Sequence, residues 1–229
     1  MPRALSPRPS AQPPRSPARR TALPRDVVDE LRQISKPGKA DQAISRLERA
    51  VALVERQDGP GATSEAAKAK ALAPRSPAVR EVLGLALYEQ GRYREALSEM
   101  QTYRRMSGRP DENHIIADCE RAIGRPERAV PLAEEALAGR VPLEAKAEAV
   151  IVAASALADL GRFEQALALL RRVRTKSDAA RAHDLRVWYV TADVLARGGR
   201  NEEAAREFRK ILRHDPSAFD AAERLAQLG

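Results

Sequence analysis

A short sequence phrase occurs four times in the central and C-terminal parts of this chain of 229 residues, and this repetition sets the strongest limit on its fold. Each copy is a Gly-Arg pair followed by an Ala five residues after the Gly, and the four glycines are Gly91, Gly124, Gly161 and Gly199. They are separated by 33, 37 and 38 residues, which is the range expected of a repeated supersecondary unit. Such a chain is expected to stack one kind of unit along its length.

Apolar residues on both sides of each turn fall at helical spacing. Around Gly91 they are Leu83 and Leu87 before the turn, and Leu97 and Met100 after it. This pattern predicts two antiparallel helices in each unit. Glycine can adopt the left-handed conformation that ends the first helix, and the following Ala lets the two helices approach closely. A low aromatic content of 3% also favours closely packed helices over sheets.

Three of the four units carry further residues of one motif, in the order Trp, Leu-Gly, Tyr, Ala, Phe, Ala and Pro. The matching positions are Leu83, Gly84, Gly91, Tyr93 and Ala96; Ala154, Leu157, Gly161, Phe163 and Ala166; and Trp188, Leu195, Gly199, Ala204, Phe208 and Pro216. Through them, residues 77–216 resemble the tetratricopeptide repeat family. The resemblance implies an all-α fold, a right-handed α-solenoid of antiparallel helix pairs, with Tyr93, Phe163, Trp188 and Phe208 in its core.

The segments that flank the repeats extend the predicted domain to residues 25–229. Upstream we expect a short leading helix and then a helix pair, 41–56 and 63–73, whose turn contains Gly59 and Gly61. A turn at Gly38 is an alternative phase. Downstream, the predicted capping helix would cover the last exposed face with Phe219, Ala222, Leu225 and Leu228. The domain would hold about five helix pairs, a leading helix and a C-terminal cap.

Residues 1–24 form a separate region in which prolines recur too often for a helix to propagate. Residues 1–25 also contain six Arg and no Asp or Glu, so they carry +6 of the net charge of +8. We predict a disordered or partly polyproline II tail. It is a solvated extension, a phosphate-binding arm or a PxxP ligand through Pro14–Pro17. The remaining +2 means that the folded body is nearly balanced in charge.

The sequence offers no residue set for catalysis, for a cofactor or for a metal. His114, His183 and His214 lie in different units and share no ligand spacing with Cys119, the single cysteine, which we expect to be a small buried side chain. No phosphate-cradling Gly-rich loop, serine nucleophile motif or paired acid-base signature occurs. No apolar run reaches the roughly 18–20 residues that span a bilayer, and the N-terminus lacks the apolar core of a signal peptide. We therefore predict a cytoplasmic, non-enzymatic protein without a membrane segment.

The family resemblance implies that first helices of successive units line a concave groove. Carried over by their offset from each turn glycine, the lining residues are Glu81, Leu85, Tyr88, Glu89, Asp111, His114, Asp118, Arg121, Glu148, Ile151, Ser155, Asp159, Arg186, Tyr189, Asp193 and Arg197. The Lys and Asn pattern by which some family members clamp a terminal carboxylate is absent from these positions. Acids outnumber bases by seven to three, which favours a basic or neutral peptide over nucleic acid.

These patterns predict a protein-protein interaction scaffold that binds a peptide or helix of a partner in a mildly acidic groove. A weakly selective mixed surface is the simpler interpretation of the same residues. The alternative function is a nucleic-acid- or ribosome-associated protein in which the Arg-rich tail contacts phosphates. A further hypothesis is that the Arg-rich tail itself visits the acidic groove. It would then compete with a partner for the groove, and the competition would be seen at low salt.

Overall fold

The computed structural model describes residues 22–228, where every regular element is a helix and no strand occurs. By its contacts this part of the chain divides into two compact units, with described residues 22–119 and 120–228. Most of the predicted tail lies outside the described residues, and the predicted domain limits, 1–24 and 25–229, stay predictions.

The unit of residues 22–119 is built from paired helices. Its elements are α1 Arg25–Ile34, α2 Ala40–Glu55, α3 Gly59–Leu72, α4 Pro77–Glu89, α5 Tyr93–Ser107 and the first part of α6, Asn113–Ala122. Helix α2 packs along α3 and α4 packs along α5, while α1 covers α2. A core that includes the fully buried Leu31, Leu47 and Val79 joins α1, α2 and α4, and burial of such side chains is the main stabilising term.

Helix α3 begins earlier than the sequence pattern predicts. The prediction placed Gly59 and Gly61 between two helices, whereas both lie in the first turn of α3. The side chain of Asp58 caps this turn by accepting a hydrogen bond from the Gly61 amide at 2.9 Å, and Pro60 needs no amide there. A Cβ added at Gly59 would lie 2.7 Å from the Cγ of Gln90. The predicted start at Thr63 was therefore wrong by one helical turn.

The unit of residues 120–228 continues the same construction. After the end of α6 and a 3-10 turn at Pro126–Arg128 come α7 Ala129–Ala138, α8 Leu143–Asp159, α9 Phe163–Leu170, α10 Ala182–Arg197, α11 Asn201–His214 and α12 Ala221–Gln227. Helix α8 packs against α7, α9 and α10, and α11 packs against α10 and α12. Trp188, Phe208 and Ile211 are buried where α10 and α11 meet.

The turns between paired helices have the predicted conformation. Their glycines have positive φ angles of 71°, 84°, 74° and 79° at Gly91, Gly124, Gly161 and Gly199. The alanines five residues later are fully buried, namely Ala96, Ala129, Ala166 and Ala204. A larger side chain at these alanines would overpack the helix pair. Gly38 has the same conformation, with a φ of 67°, and Ala43, five residues later, is also fully buried. The same kind of turn therefore joins α1 to α2.

The C-terminal helix differs from its prediction by one residue in register. Ala222, expected to face the core, is exposed, whereas Ala218 and Ala221 are buried. Phe219 adopts a φ of 56° in the turn before α12, and its ring lies 5.0 Å from that of Tyr189. Because this turn delays the start of α12 to Ala221, the apolar face of the helix is shifted relative to a helix that starts at Phe219.

Candidate functional site

The predicted groove residues of the unit 22–119 lie on α4, on α6 and in the turn between α5 and α6. They are Glu81, Leu85, Tyr88 and Glu89 on α4, Asp111 in the turn, and His114 and Asp118 on α6. Asp118 is buried, with 6% of its surface exposed, and accepts a hydrogen bond from the Tyr88 hydroxyl at 2.7 Å. This bond ties α4 to α6 and leaves the Asp118 carboxylate little surface for a partner.

Three carboxyl groups of this unit form what we call the acidic cluster: Glu81, Asp111 and Glu112. The turn that carries the last two follows Gly108, which ends α5 in the left-handed conformation. Arg109, in the same turn, forms an ion pair with Asp111. Asp111 also accepts a hydrogen bond from the Tyr103 hydroxyl at 3.0 Å, and the two contacts fix this carboxylate in place.

Burial and mutual repulsion raise the pKa of two carboxyl groups of the acidic cluster. Burial, together with the negative charges of Glu81 and Asp111, raises the pKa of Glu112 to about 7, although the Arg109 guanidinium opposes the shift. Burial and the charge of Asp111 also raise the pKa of Glu81. The His114 Nε2 lies 3.7 Å from the nearer Glu112 oxygen. A cation brought in from outside would favour the ionised form of these groups.

The predicted groove residues of the other unit lie on the end of α6, on α8 and on α10. They are Arg121; Glu148, Ile151, Ser155 and Asp159; and Arg186, Tyr189, Asp193 and Arg197. Ile151 and Tyr189 are buried, so they are part of the packing between helices. The Ser155 hydroxyl donates to the Ile151 carbonyl at 2.9 Å within its own helix, and Arg186 pairs with Glu148 at 2.6 Å.

Carboxylates and guanidinium groups alternate across this second set and form what we call the ion-pair ladder. Asp159 accepts hydrogen bonds from Arg121 and Arg197, both at 2.9 Å. Asp193 accepts one from Arg224 of α12 at 2.7 Å and lies 3.7 Å from Arg197. The predicted groove acids of this unit are therefore matched by cations, and the surplus of acid predicted from the sequence lies in the unit 22–119.

Sequence reasoning missed several of the residues that shape these surfaces. Arg109 and Glu112 lie within two residues of the predicted Asp111. This closeness in the sequence was the signal that could have identified them. Tyr103 is buried in the core, yet its hydroxyl reaches the cluster. Arg224 gave no periodic signal, because α12 is a cap that does not repeat the offsets of the other units.

Within residues 22–228 no group of three or more His, Cys, Asp or Glu side chains is arranged to hold a metal ion. Cys119 is fully buried, and Trp188 and Phe208 lie in the core, as predicted, while Tyr93 and Phe163 are half-buried. In the described part of the chain no helix combines the length and apolar character that crossing a membrane requires.

Two stretches of the chain match models of one repeat family. A model of the Tetratrico peptide repeat matches residues 115–216, and a second model, of the Tetratricopeptide repeat, matches residues 36–110. The chain is a tetratricopeptide repeat (TPR) protein. The fold class predicted from the sequence, an all-α TPR fold of antiparallel helix pairs, is confirmed. The TPR fold commonly mediates interactions between proteins.

Solved structures with the same fold include two bacterial-type TPR proteins. The thermophilic TPR protein TTC0263 of Thermus thermophilus is 20% identical at a TM-score of 0.59, over 81% of this chain and 98% of its own. YrrB, a TPR protein with an unusual peptide-binding site, is 18% identical at a TM-score of 0.54, over 79% of this chain and 90% of its own. At these identities the likeness concerns the fold alone. No protein of curated function matches the sequence.

Proposed function

We propose that this TPR protein is a cytoplasmic, non-enzymatic interaction scaffold that binds a basic segment of a partner protein through the unit 22–119. The acidic cluster is the observation that carries this proposal. Three carboxyl groups there share the positive charge of Arg109, and burial together with mutual repulsion raises the pKa of two of them. A Lys or Arg side chain of a partner would replace this repulsion with attraction.

The accessibility of the cluster suits a ligand contact. The side chains of Asp111 and Glu112 keep 14% and 20% of their surface exposed, so they are partly desolvated yet reachable. A charge pair at such a position is screened less than one on an open surface. Half-buried Leu85 follows Glu81 by one helical turn on the same face of α4. The preferred ligand is therefore a segment in which a basic residue lies near an apolar one.

The ion-pair ladder supports this choice of unit. Its carboxylates already accept hydrogen bonds from Arg121, Arg197 and Arg224. A basic ligand would have to displace these internal guanidinium groups, and the displaced charges would lose their partners. At the acidic cluster, the internal guanidinium group that such a ligand would meet within the described residues is that of Arg109.

The test is a fluorescence anisotropy titration of the full chain with a labelled peptide that contains Lys, Arg and Leu and no acidic residue. The variant Glu81→Gln/Asp111→Asn/Glu112→Gln removes the charge of the cluster with little change in shape. We expect it to weaken binding by about tenfold or more, since each partly buried charge contact contributes on the order of 1 kcal/mol. Binding by the unchanged protein should also weaken as salt is raised.

A matched control removes the same three charges elsewhere. Asp178→Asn/Glu202→Gln/Glu223→Gln changes exposed carboxylates of the other unit that form no ion pair within the described residues. We expect its affinity to stay within about twofold of the unchanged protein, because exposed charges contribute little. Equal losses in the two triple variants would mean that only net charge attracts the peptide and would reject the proposed site. Tighter binding of a labelled RNA than of the peptide would favour the nucleic-acid alternative.

A further inference from the structure

The connection between α9 and α10 is the longest in the described part of the chain. It runs over residues 171–181, eleven residues, whereas the connections 73–76, 108–112, 139–142 and 215–220 have four to six. Helix α9 is correspondingly short, with 8 residues against 15 in α5 and 14 in α11. A connection longer than the fold requires is frequently a functional one.

This connection is strongly basic. It contains five basic residues and one acid, a net charge of +4, although the whole body from residue 26 onward carries only +2. Two of the five, Arg172 and Arg181, form ion pairs with glutamates of the same unit. The other three are exposed and form no ion pair with a carboxylate of residues 22–228, namely Arg171, Arg174 and Lys176.

A fourth exposed basic residue lies beside this connection, at the end of α11. The indole of Trp188 contacts both elements, because its Nε1 donates a hydrogen bond to the Thr175 hydroxyl at 3.1 Å and its ring centre lies 5.2 Å from that of His214. Arg213, next to His214 in the last turn of α11, is exposed and forms no ion pair within the described residues. The connection and the end of α11 therefore meet at Trp188, and both carry exposed basic residues.

Few acids oppose these basic residues. In the connection the one acid is Asp178, and next to the end of α11 lies Asp215. Glu207 of α11 is already paired with Lys210, at 3.6 Å. Four basic residues without an ion pair thus lie near two acids, so this part of the surface keeps a positive charge.

The surroundings of the four basic residues distinguish among anionic ligands. Val173 and Trp188, the large apolar residues beside them, are 7% and 3% exposed, so they offer little apolar surface to a protein partner or to a lipid bilayer. The same burial prevents the bases of a single strand from stacking on the indole. Three of the four residues are Arg, whose planar fork of donors matches a phosphate group. A duplex presents phosphates and requires neither an apolar anchor nor an exposed ring.

We infer that the surface formed by Arg171, Arg174, Lys176 and Arg213, which we call the basic surface, binds the phosphate backbone of a double-stranded nucleic acid. Phosphate contacts position a duplex without reading its sequence, so binding should depend steeply on salt and little on sequence. The inference does not rest on the proposed function, because the acidic cluster lies in the other unit and attracts the opposite charge. It also differs from phosphate binding by the Arg-rich tail, because it assigns the contacts to the unit 120–228.

The test is a fluorescence anisotropy titration of the full chain with a labelled DNA duplex of about 20 base pairs and mixed sequence, repeated at several salt concentrations. The variant Arg171→Glu/Arg174→Glu/Lys176→Glu/Arg213→Glu should lower the affinity by about tenfold or more at about 0.1 M salt. It should also reduce the slope of log K against log salt by about 2 or more, since each phosphate contact contributes about 0.9. The neutral variant Arg171→Gln/Arg174→Gln/Lys176→Gln/Arg213→Gln should show a smaller loss in the same direction, which does not depend on introduced acids.

Two control variants separate the basic surface from net charge and from the tail. The first is Arg49→Glu/Arg56→Glu/Arg75→Glu/Arg94→Glu, which makes the same charge change at exposed positions of the unit 22–119 and should lower the affinity by less than about threefold. The second replaces the five Arg of residues 1–21 by Gln. In that background, reversal of the basic surface should still weaken binding and reduce the salt slope.

Equal losses in the two reversal variants would mean that only net charge attracts the duplex and would overturn the inference. Binding that depends on the Arg residues of the tail, and is unchanged by reversal of the basic surface, would overturn it as well. Tighter binding of a Glu-rich peptide, or of vesicles that contain anionic lipid, than of the duplex would assign the surface to another class of partner. Absence of duplex binding up to about 0.1 mM protein at low salt would also reject it.

Discussion

Glu112→Gln is the substitution whose effect on stability can be worked out most directly from the acidic cluster. Burial and the neighbouring carboxylates raise the pKa of Glu112 from 4.5 to about 7 in the folded protein. Its folded state thus holds a proton over a pH range in which the unfolded chain has lost it. The favourable contribution of this group to folding is fully present below pH 4.5 and is lost as the pH rises through about 7.

The magnitude follows from the size of the shift. At about 1.4 kcal/mol per pKa unit, ionising Glu112 in the folded protein at pH 8 costs up to about 3 kcal/mol relative to the unfolded chain. Glutamine has nearly the same shape and stays neutral. Glu112→Gln should therefore raise the free energy of unfolding by up to about 3 kcal/mol at pH 8 and by little at pH 4.5.

Urea unfolding followed by circular dichroism, between pH 4.5 and pH 8.5, measures this difference. Glu223→Gln, an exposed position on α12, supplies the same charge change as a control and should leave the pH dependence within about 0.5 kcal/mol of the unchanged protein. A stabilisation by Glu112→Gln that is the same at both ends of the range, or larger in acid, would refute the assignment of the raised pKa to this carboxyl group.

Four further outcomes follow from the same structure. Because a bound cation favours the ionised form of Glu112, binding of the basic peptide at pH 6 should release up to about one proton. Calorimetry in two buffers of different ionisation enthalpy measures this release. Zero release would mean that the peptide binds elsewhere. If residues 1–21 visit the acidic cluster, deleting them should raise peptide affinity at low salt, and an unchanged affinity would reject this competition. Gly84→Ala should lower the free energy of unfolding by about 1–3 kcal/mol, since its Cβ would meet the Met100 side chain, and Met100→Ala should reduce that penalty in a double-mutant cycle. Asp159→Asn should cost about 1–3 kcal/mol in the same assay, because two guanidinium donors lose their shared carboxylate, and an unchanged stability would show that the ion-pair ladder contributes nothing.

Much of the fold could be predicted because local and long-range preferences agree in the repeats. At Gly91 and Gly161 the turn needs a left-handed residue, and the Ala five positions later needs a small side chain, so both constraints appear in the sequence. The errors occurred where no repeat constrains the chain. The start of α3 depends on the side chain of Asp58, and the register of α12 depends on a non-glycine residue, Phe219, with a positive φ angle.

The groove positions were harder to evaluate from the sequence than the fold was. Counting acids against bases treats every predicted position as equally exposed, yet Asp118 and Tyr189 are buried and Asp159 is shared by two guanidinium groups. The count also omits residues outside the repeat offsets, such as Arg224. Charge at a surface depends on which partners already bind each group, and periodicity carries no information about those partners.

Net charge is a poor guide to the ligands of this protein, because charges of opposite sign are concentrated at different places on a nearly balanced body. In the acidic cluster three carboxyl groups share the guanidinium charge of Arg109, whereas residues 171–181 carry a net charge of +4. Averaged over residues 26–229, these features leave only +2. A basic ligand is therefore expected to respond to the local charge of the acidic cluster and not to the net charge of the protein.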